Sequence, residues 1–239
     1  MHKLALVTGS SRRIGREISL KLASIGYSLI LHYSNDYNGV ESLKKELEES
    51  YSNLQFFSFQ GDLRCPTFVD ELSQFCDSKC VIVNLLIHNA SIFEPDDLTN
   101  VSFNSLQDHF SIHLFQPLLI TKWFSKQAVK GQVVTIVDQA VTNKQSAYLS
   151  YILSKKSLLE ATYMLSLAMA PGFRVNAILP GMILPSKHGN AEKFHKEVLE
   201  TPLKIAPGVQ SILSALVFLI DNEWATGQTI YCDGGEHLV

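Results

Sequence analysis

Short apolar runs alternate with longer stretches of helical period along this chain, and that pattern excludes most of what 239 residues could become. A strand buried on both faces of a parallel sheet reads as a continuous apolar run, and the connection to its parallel neighbour needs a crossover, usually a helix. The runs fall at Lys3–Val7, Ser28–His32, Leu54–Gln60, Ile82–His88, Gly131–Val137, Arg174–Leu179 and Thr229–Cys232. Helical spacing occupies about Arg13–Ile25, Tyr37–Ser50, Pro66–Phe75, Phe103–Lys126, Ala147–Ala170 and Val209–Asp221. The expectation is one α/β domain over residues 1–239, a doubly wound, seven-stranded parallel sheet flanked by helices on both faces.

Charge and cysteine usage narrow the class. A formal charge of −3, with 20 Lys and Arg against 23 Asp and Glu, gives no basic footprint for nucleic acid. No stretch approaches the roughly 18–20 consecutive apolar residues of a membrane span. The chain enters a strand-like Leu4-Ala5-Leu6-Val7 without a signal-peptide pattern, so a cytoplasmic protein is expected. Cys65, Cys76, Cys80 and Cys232 are too scattered for a secreted disulfide framework, and no metal-ligand set accompanies them; free thiols are expected. Two helical stretches carry apolar residues on more than one face, among them Phe115 and Leu118 on the first and Leu159 and Met164 on the second. This predicts packing against a second subunit in a dimer or tetramer, the alternative being a thick core.

Val7-Thr8-Gly9-Ser10-Ser11-Arg12-Arg13-Ile14-Gly15 stands where the first strand turns into the first helix, the place at which a Rossmann-type fold binds a dinucleotide pyrophosphate. Gly9 suits the tight turn, Gly15 lets the helix approach the strand, and the helix N-terminus offers N–H groups and partial positive charge. The second strand runs out through His32-Tyr33-Ser34-Asn35, with Tyr33 where an NAD site places its ribose-binding carboxylate. Arg12 and Arg13 bring fixed positive charge to that edge, so charge favours NADPH. Asp36, the competing acid, lies beyond the predicted strand end.

Tyr151-Ile152-Leu153-Ser154-Lys155 is the only Tyr-x-x-x-Lys in the chain. Residues i and i+4 share a helical face. An ammonium beside the phenol is expected to lower its pKa toward the working pH, so that Tyr151 passes a proton to a substrate as hydride arrives, while Lys155 also reaches the nicotinamide ribose. Asp138 ends the fifth strand, where strand-ending turn chemistry is the plain reading.

In this order the motifs resemble the short-chain dehydrogenase/reductase family over essentially the whole chain. The usual Thr-Gly-x-x-x-Gly-x-Gly has Arg13 in place of its middle glycine, and most members carry a serine where Asp138 stands. Both departures resemble the pteridine reductases and dihydromonapterin reductases. The resemblance implies adenine contacts from Asp62 and Leu63, nicotinamide-side contacts from Asn89, Ala90, Ser91, Pro180 and Gly181, and cofactor contacts from Ser11 and Ile14. It implies a pterin held by Arg13, Ser91, Phe93, Asp138, Tyr151, Met182 and Leu184. Phe93 would stack on the flat ring, or else pack as an ordinary loop residue. His113 matches a family asparagine that supports a proton relay; it either serves in that place or is a satisfied core histidine. The segment after Pro180 is expected to form a substrate lid.

The implied activity is NADPH-dependent reduction of a dihydropterin (dihydromonapterin or dihydrobiopterin, or dihydrofolate). The alternatives are a 3-oxoacyl or other carbonyl reductase, for which serine at 138 is the expected feature, and a non-catalytic NADPH-binding sensor, which need not retain both Tyr151 and Lys155.

Overall fold

Strands and helices alternate as expected in the computed structural model, whose described residues are 3–127, 130–142, 146–183 and 191–239. Among them β1 (Lys3–Val7), β2 (Tyr27–Tyr33), β3 (Phe56–Gln60), β4 (Leu85–His88), β5 (Gly131–Ile136), β6 (Phe173–Pro180) and β7 (Thr229–Cys232) form one sheet. Their order is β3-β2-β1-β4-β5-β6-β7, and every neighbouring pair is parallel. Strand order reverses between β1 and β4, which opens a crevice beyond the carboxyl ends of the strands. Val7 pairs with both Leu31 and Ile87, so the loops leaving β1, β2 and β4 converge on that crevice.

The sheet faces account for the apolar runs. All seven residues of β2 are buried, as a central parallel strand requires. One core packs α1 (Arg13–Ser24), α2 (Tyr37–Ser50) and α8 (Gly208–Asp221) on the sheet through Ile18, Leu22, Leu43 and Leu216. The other packs α3 (Phe68–Lys79) and α5 (Gln116–Gln127) through Phe68, Leu72, Ile120 and Phe124. Cys76 lies in this second core, where burial pushes its thiol up to about 12.

Three departures have local causes. The expected helix Phe103–Lys126 is interrupted: α4 (Phe103–Phe110) passes into a π-helical turn, Ser111–Phe115, before α5. Pro117 has no N–H for the carbonyl of His113, and its ring crowds that carbonyl. The chain widens instead, with Gln116 N donating to Ser111 O, five residues back. Helix α3 begins at Phe68 rather than Pro66, after a turn closed by Phe68 N donating to Cys65 O. Helix α7 (Ala191–Glu200) follows the segment read as lid and was not expected.

The helix carrying Tyr151 is α6 (Leu149–Ala168). Of the side chains spread over more than one face of α5, α6 and the preceding turn, Phe115, Leu119, Met164 and Leu167 are exposed. No helix among the described residues is long and apolar enough to cross a membrane.

Candidate active site

The turn after β1 is held by neutral hydrogen bonds. Thr8 Oγ1 donates to Ile87 O and accepts from the amides of Asn89 and Ala90; Asn89 Nδ2 donates to Thr8 O and Gly9 O at 2.9 and 3.1 Å. A methyl on Gly15 would stand 2.1 Å from Gly9 O and 2.6 Å from Asn89 Nδ2, so only glycine lets α1 come this close. Gly9 is left-handed at φ +68, and so is Arg13 at φ 50, the position at which the resemblance implies glycine. The N-cap of α1, Arg12, makes no side-chain capping bond, which leaves the first-turn amides to an outside acceptor.

Several residues expected at the cofactor have other duties. The His32 ring is a correction: it is buried, accepting from Gly9 N at 3.2 Å through Nδ1. Because a backbone amide can only donate, the ring proton sits on Nε2 and goes to Gly61 O at 3.0 Å. Burial lowers its pKa to about 4, so His32 is a neutral cross-link from β2 to the turns after β1 and β3. Tyr33 is also a correction, packed in the core with Val40 and Leu43; Ser34 is the residue at the lip. Asp36 caps α2, its Oδ1 accepting from Gly39 N. Asp62 is held by Arg64 through Oδ1 and Oδ2, while Leu63 is buried.

At the end of β5 the structure brings Asp138, Tyr151 and Lys155 together. Tyr151 Oη donates to Asp138 Oδ2 at 2.5 Å, and Asp138 Oδ1 accepts from Ala140 N at 2.8 Å. Lys155 Nζ donates to Ile136 O at 2.9 Å and lies 5.8 Å from the Tyr151 ring centroid. The expected lowering of the phenol is overturned. Burial, followed by the Asp138 charge and hydrogen bond, raises Tyr151 well above its ordinary value. Burial also raises Asp138, against hydrogen bonds from Tyr151 and Ala140 and the Lys155 charge. Burial lowers Lys155 to about 8, against the pull of Asp138. The arrangement is a neutral phenol and a carboxyl sharing one proton beside a buried amine.

His113, presented by the π turn, is fully partnered. Ile92 N donates to its Nε2 at 3.3 Å, which fixes Nε2 as acceptor, also for the Ser91 hydroxyl at 2.9 Å. Its Nδ1–H then donates to Ser154 Oγ at 2.8 Å, and Ser154 donates to the carbonyl of Tyr151 at 2.7 Å. Both ring nitrogens are thus taken by partners within the protein. It ties the Ser91 loop to α6.

A cleft of about 510 Å3 opens beside Tyr151. Phe93, Asp138, Gly181 and Met182 border it, with Tyr148 and Glu236. The Phe93 ring is half exposed and stacks on Tyr148, centroids 4.2 Å apart and planes 10° apart. Leu184 and the rest of the expected lid, residues 184–190, lie outside the described residues. Pro180 pairs with Cys232 at the end of the sheet, and Gly181 fits only because it lacks a Cβ, which would meet Asp233 at 2.6 Å.

Sequence reasoning missed Tyr148, Glu236 and Asp96. Glu236 accepts from Gln139 Nε2 at 2.5 Å, and its carboxyl is raised to about 7, chiefly by burial. Asp96 is bound to Ser150 at the start of α6. One signal for it was available: a helix opening on Tyr148-Leu149 has no capping side chain of its own.

The family model described as short chain dehydrogenase matches residues 3–196. Dihydromonapterin reductase of Enterobacter sp. (strain 638) is 25% identical, over 98% of this chain and 96% of its own. The 3-oxoacyl-[acyl-carrier-protein] reductase FabG of Buchnera aphidicola subsp. Schizaphis graminum is 28% identical, over 99% and 98%. Among solved structures, FolM alternative dihydrofolate reductase 1 from Brucella canis, complexed with NADP, superposes with a TM-score of 0.91 at 33% identity, covering 99% of this chain and 95% of that one. Given a family match over most of the chain and that shared doubly wound sheet, the chain belongs to the short chain dehydrogenase family and is an oxidoreductase of it.

Proposed function

We propose that the chain reduces a dihydropterin to its tetrahydro form with NADPH, dihydromonapterin or dihydrobiopterin being the substrate class and dihydrofolate a further candidate. The observation that carries the reading is the 2.5 Å contact between Asp138 and Tyr151. A ring C=N bond needs a proton on nitrogen as hydride reaches carbon, and a carboxyl–phenol pair both holds that proton and accepts from a ring N–H. When bound, the nicotinamide supplies the hydride. Tyr151 and Asp138 deliver the proton, Lys155 anchors the ribose side, Phe93 and Met182 wall the flat ring, and Arg13 and Ser91 reach it from the cofactor edge.

NADPH is supported by Arg12 and Arg13 at the turn, and Asp36 has a capping duty, its Oδ1 accepting from Gly39 N. The uncapped first turn of α1 fits a pyrophosphate. The FolM relative was solved with NADP, and the names of the dihydromonapterin reductase and FolM relatives support a pterin or folate substrate. The FabG relative favours a second reading, 3-oxoacyl reduction. The exposed apolar side chains of α5 and α6 support a homo-oligomer.

Following NADPH consumption with dihydromonapterin, dihydrobiopterin, dihydrofolate and a 3-oxoacyl thioester tests the assignment. Turnover of at least one dihydropterin is expected to exceed that of the thioester. Thioester turnover without pterin turnover overturns the assignment, and NADPH binding without any turnover replaces it with a sensor.

A further inference from the structure

A loop residue outside every motif draws the two walls of the cleft together. Asp96, between β4 and α4, is 7% exposed and binds the start of α6. Its carbonyl accepts from Leu149 N at 3.2 Å, and Oδ1 accepts from Ser150 N at 3.0 Å. Oδ2 accepts from Ser150 Oγ and, at 2.8 Å, from Ser105 Oγ of α4. Burial pushes this carboxyl up, but hydrogen bonds from Ser150 and Ser105 outweigh it and hold it below the usual range.

Helix α6 needs such a partner. Its N-cap, Tyr148, makes no side-chain capping bond, so the first amides of the helix would lack acceptors. Asp96 supplies an acceptor and a negative charge at the positive end of the helix from 54 residues away in sequence. The chain then enters α6 through a left-handed Tyr148, φ 56, a conformation bulky residues rarely adopt. From there the Tyr148 ring lies flat on Phe93, which itself meets Tyr151 edge to face at 4.8 Å. Phe93 precedes Asp96 by three residues, and Tyr148 precedes Ser150 by two. The aromatic wall is therefore assembled from two segments joined at Asp96.

We propose that Asp96 is a positioning residue: by binding the first turn of α6 it sets where Phe93 and Tyr148 stand against each other, and so the width of the slot that a flat substrate enters. It acts through Phe93 rather than on the reacting atoms, and the inference rests on the proposed function in placing Phe93 against substrate.

The test is a double-mutant cycle with Asp96→Asn, which keeps the volume and one acceptor, and Phe93→Ala. In the parent background Asp96→Asn is expected to raise KM for the dihydropterin roughly tenfold, a loss suited to hydrogen bonds to a charged group, with kcat and NADPH affinity little changed. In the Phe93→Ala background it is expected to add little further. An equal rise in both backgrounds, or parallel loss of kcat and NADPH affinity, overturns the proposal. If Asp96→Asn fails to fold, Ser150→Ala takes its place, with a smaller KM rise of the same kind expected; an unchanged KM overturns the proposal. If the parent turns over no dihydropterin, the functional reading falls and the clamp is judged separately by amide exchange. Leu149 and Ser150 are then expected to exchange at least about tenfold faster in Asp96→Asn, and unchanged exchange overturns it.

Discussion

The two ends of the crevice are built from opposite materials. At the turn after β1 the buried links are uncharged: Thr8, Asn89 and a His32 whose pKa burial lowers to about 4. Fit there is set by backbone approach, down to the missing methyl of Gly15. At the end of β5 three ionisable groups, Asp138, Tyr151 and Lys155, share one desolvated corner, and each is displaced from its ordinary range. One end selects by shape and the other by proton affinity, so substitutions at the two should fail in different ways.

The sharpest contrast comes from Tyr151→Phe, which removes the shared proton and little else. Turnover is expected to drop at least about 100-fold with NADPH affinity unchanged, measured by steady-state rates and cofactor fluorescence; near-normal turnover would break the contrast. Gly15→Ala should do the reverse. Its methyl meets the Gly9 backbone first, which cannot swing aside, and then the Asn89 amide, so NADPH affinity is expected to fall tenfold or more and stability by about 1–3 kcal/mol, read by titration and thermal melts.

The charged end should also answer to pH. Lys155 carries its proton below about 8 and loses it above, so kcat is expected to decline as pH rises through that value. Asp138 raises the Lys155 pKa, so Asp138→Asn should move the limb to lower pH. A pH–rate profile for the pair of enzymes checks the direction.

The smallest expected effect sits at the shape-selecting end. Arg13→Gly relieves a left-handed non-glycine residue, and the gain is expected to be about 1 kcal/mol in thermal unfolding, while NADPH binds several-fold more weakly. Stabilisation without loss of affinity would show that the strained arginine serves no ligand.

This contrast also decides what the sequence made legible. The strand runs, the βα turn and the Tyr-x-x-x-Lys pair were readable because each depends on residues a few positions apart. Helix α4–α5 was misread because one proline, Pro117, converts a turn near His113 into a π turn without altering the apolar period. The phenol was misread because its pKa is set by Asp138 and by burial, neither of which shows in the Tyr–Lys spacing. His32 and Tyr33 were placed at the ligand because counting along β2 gives position but not which side of the sheet edge is covered. Asp96 was not singled out, since the uncapped start of α6 says that a partner is needed but not that it lies 54 residues back.

Asp138→Ser tests the central claim most directly, since it puts into this site the serine that most of the family is implied to carry. The ratio of kcat/KM for dihydropterin to that for a 3-oxoacyl thioester is the quantity to measure in both enzymes. The account predicts a ratio well above one in the parent, falling by at least about tenfold in Asp138→Ser. An unchanged ratio, or a parent that already prefers the thioester, would contradict it.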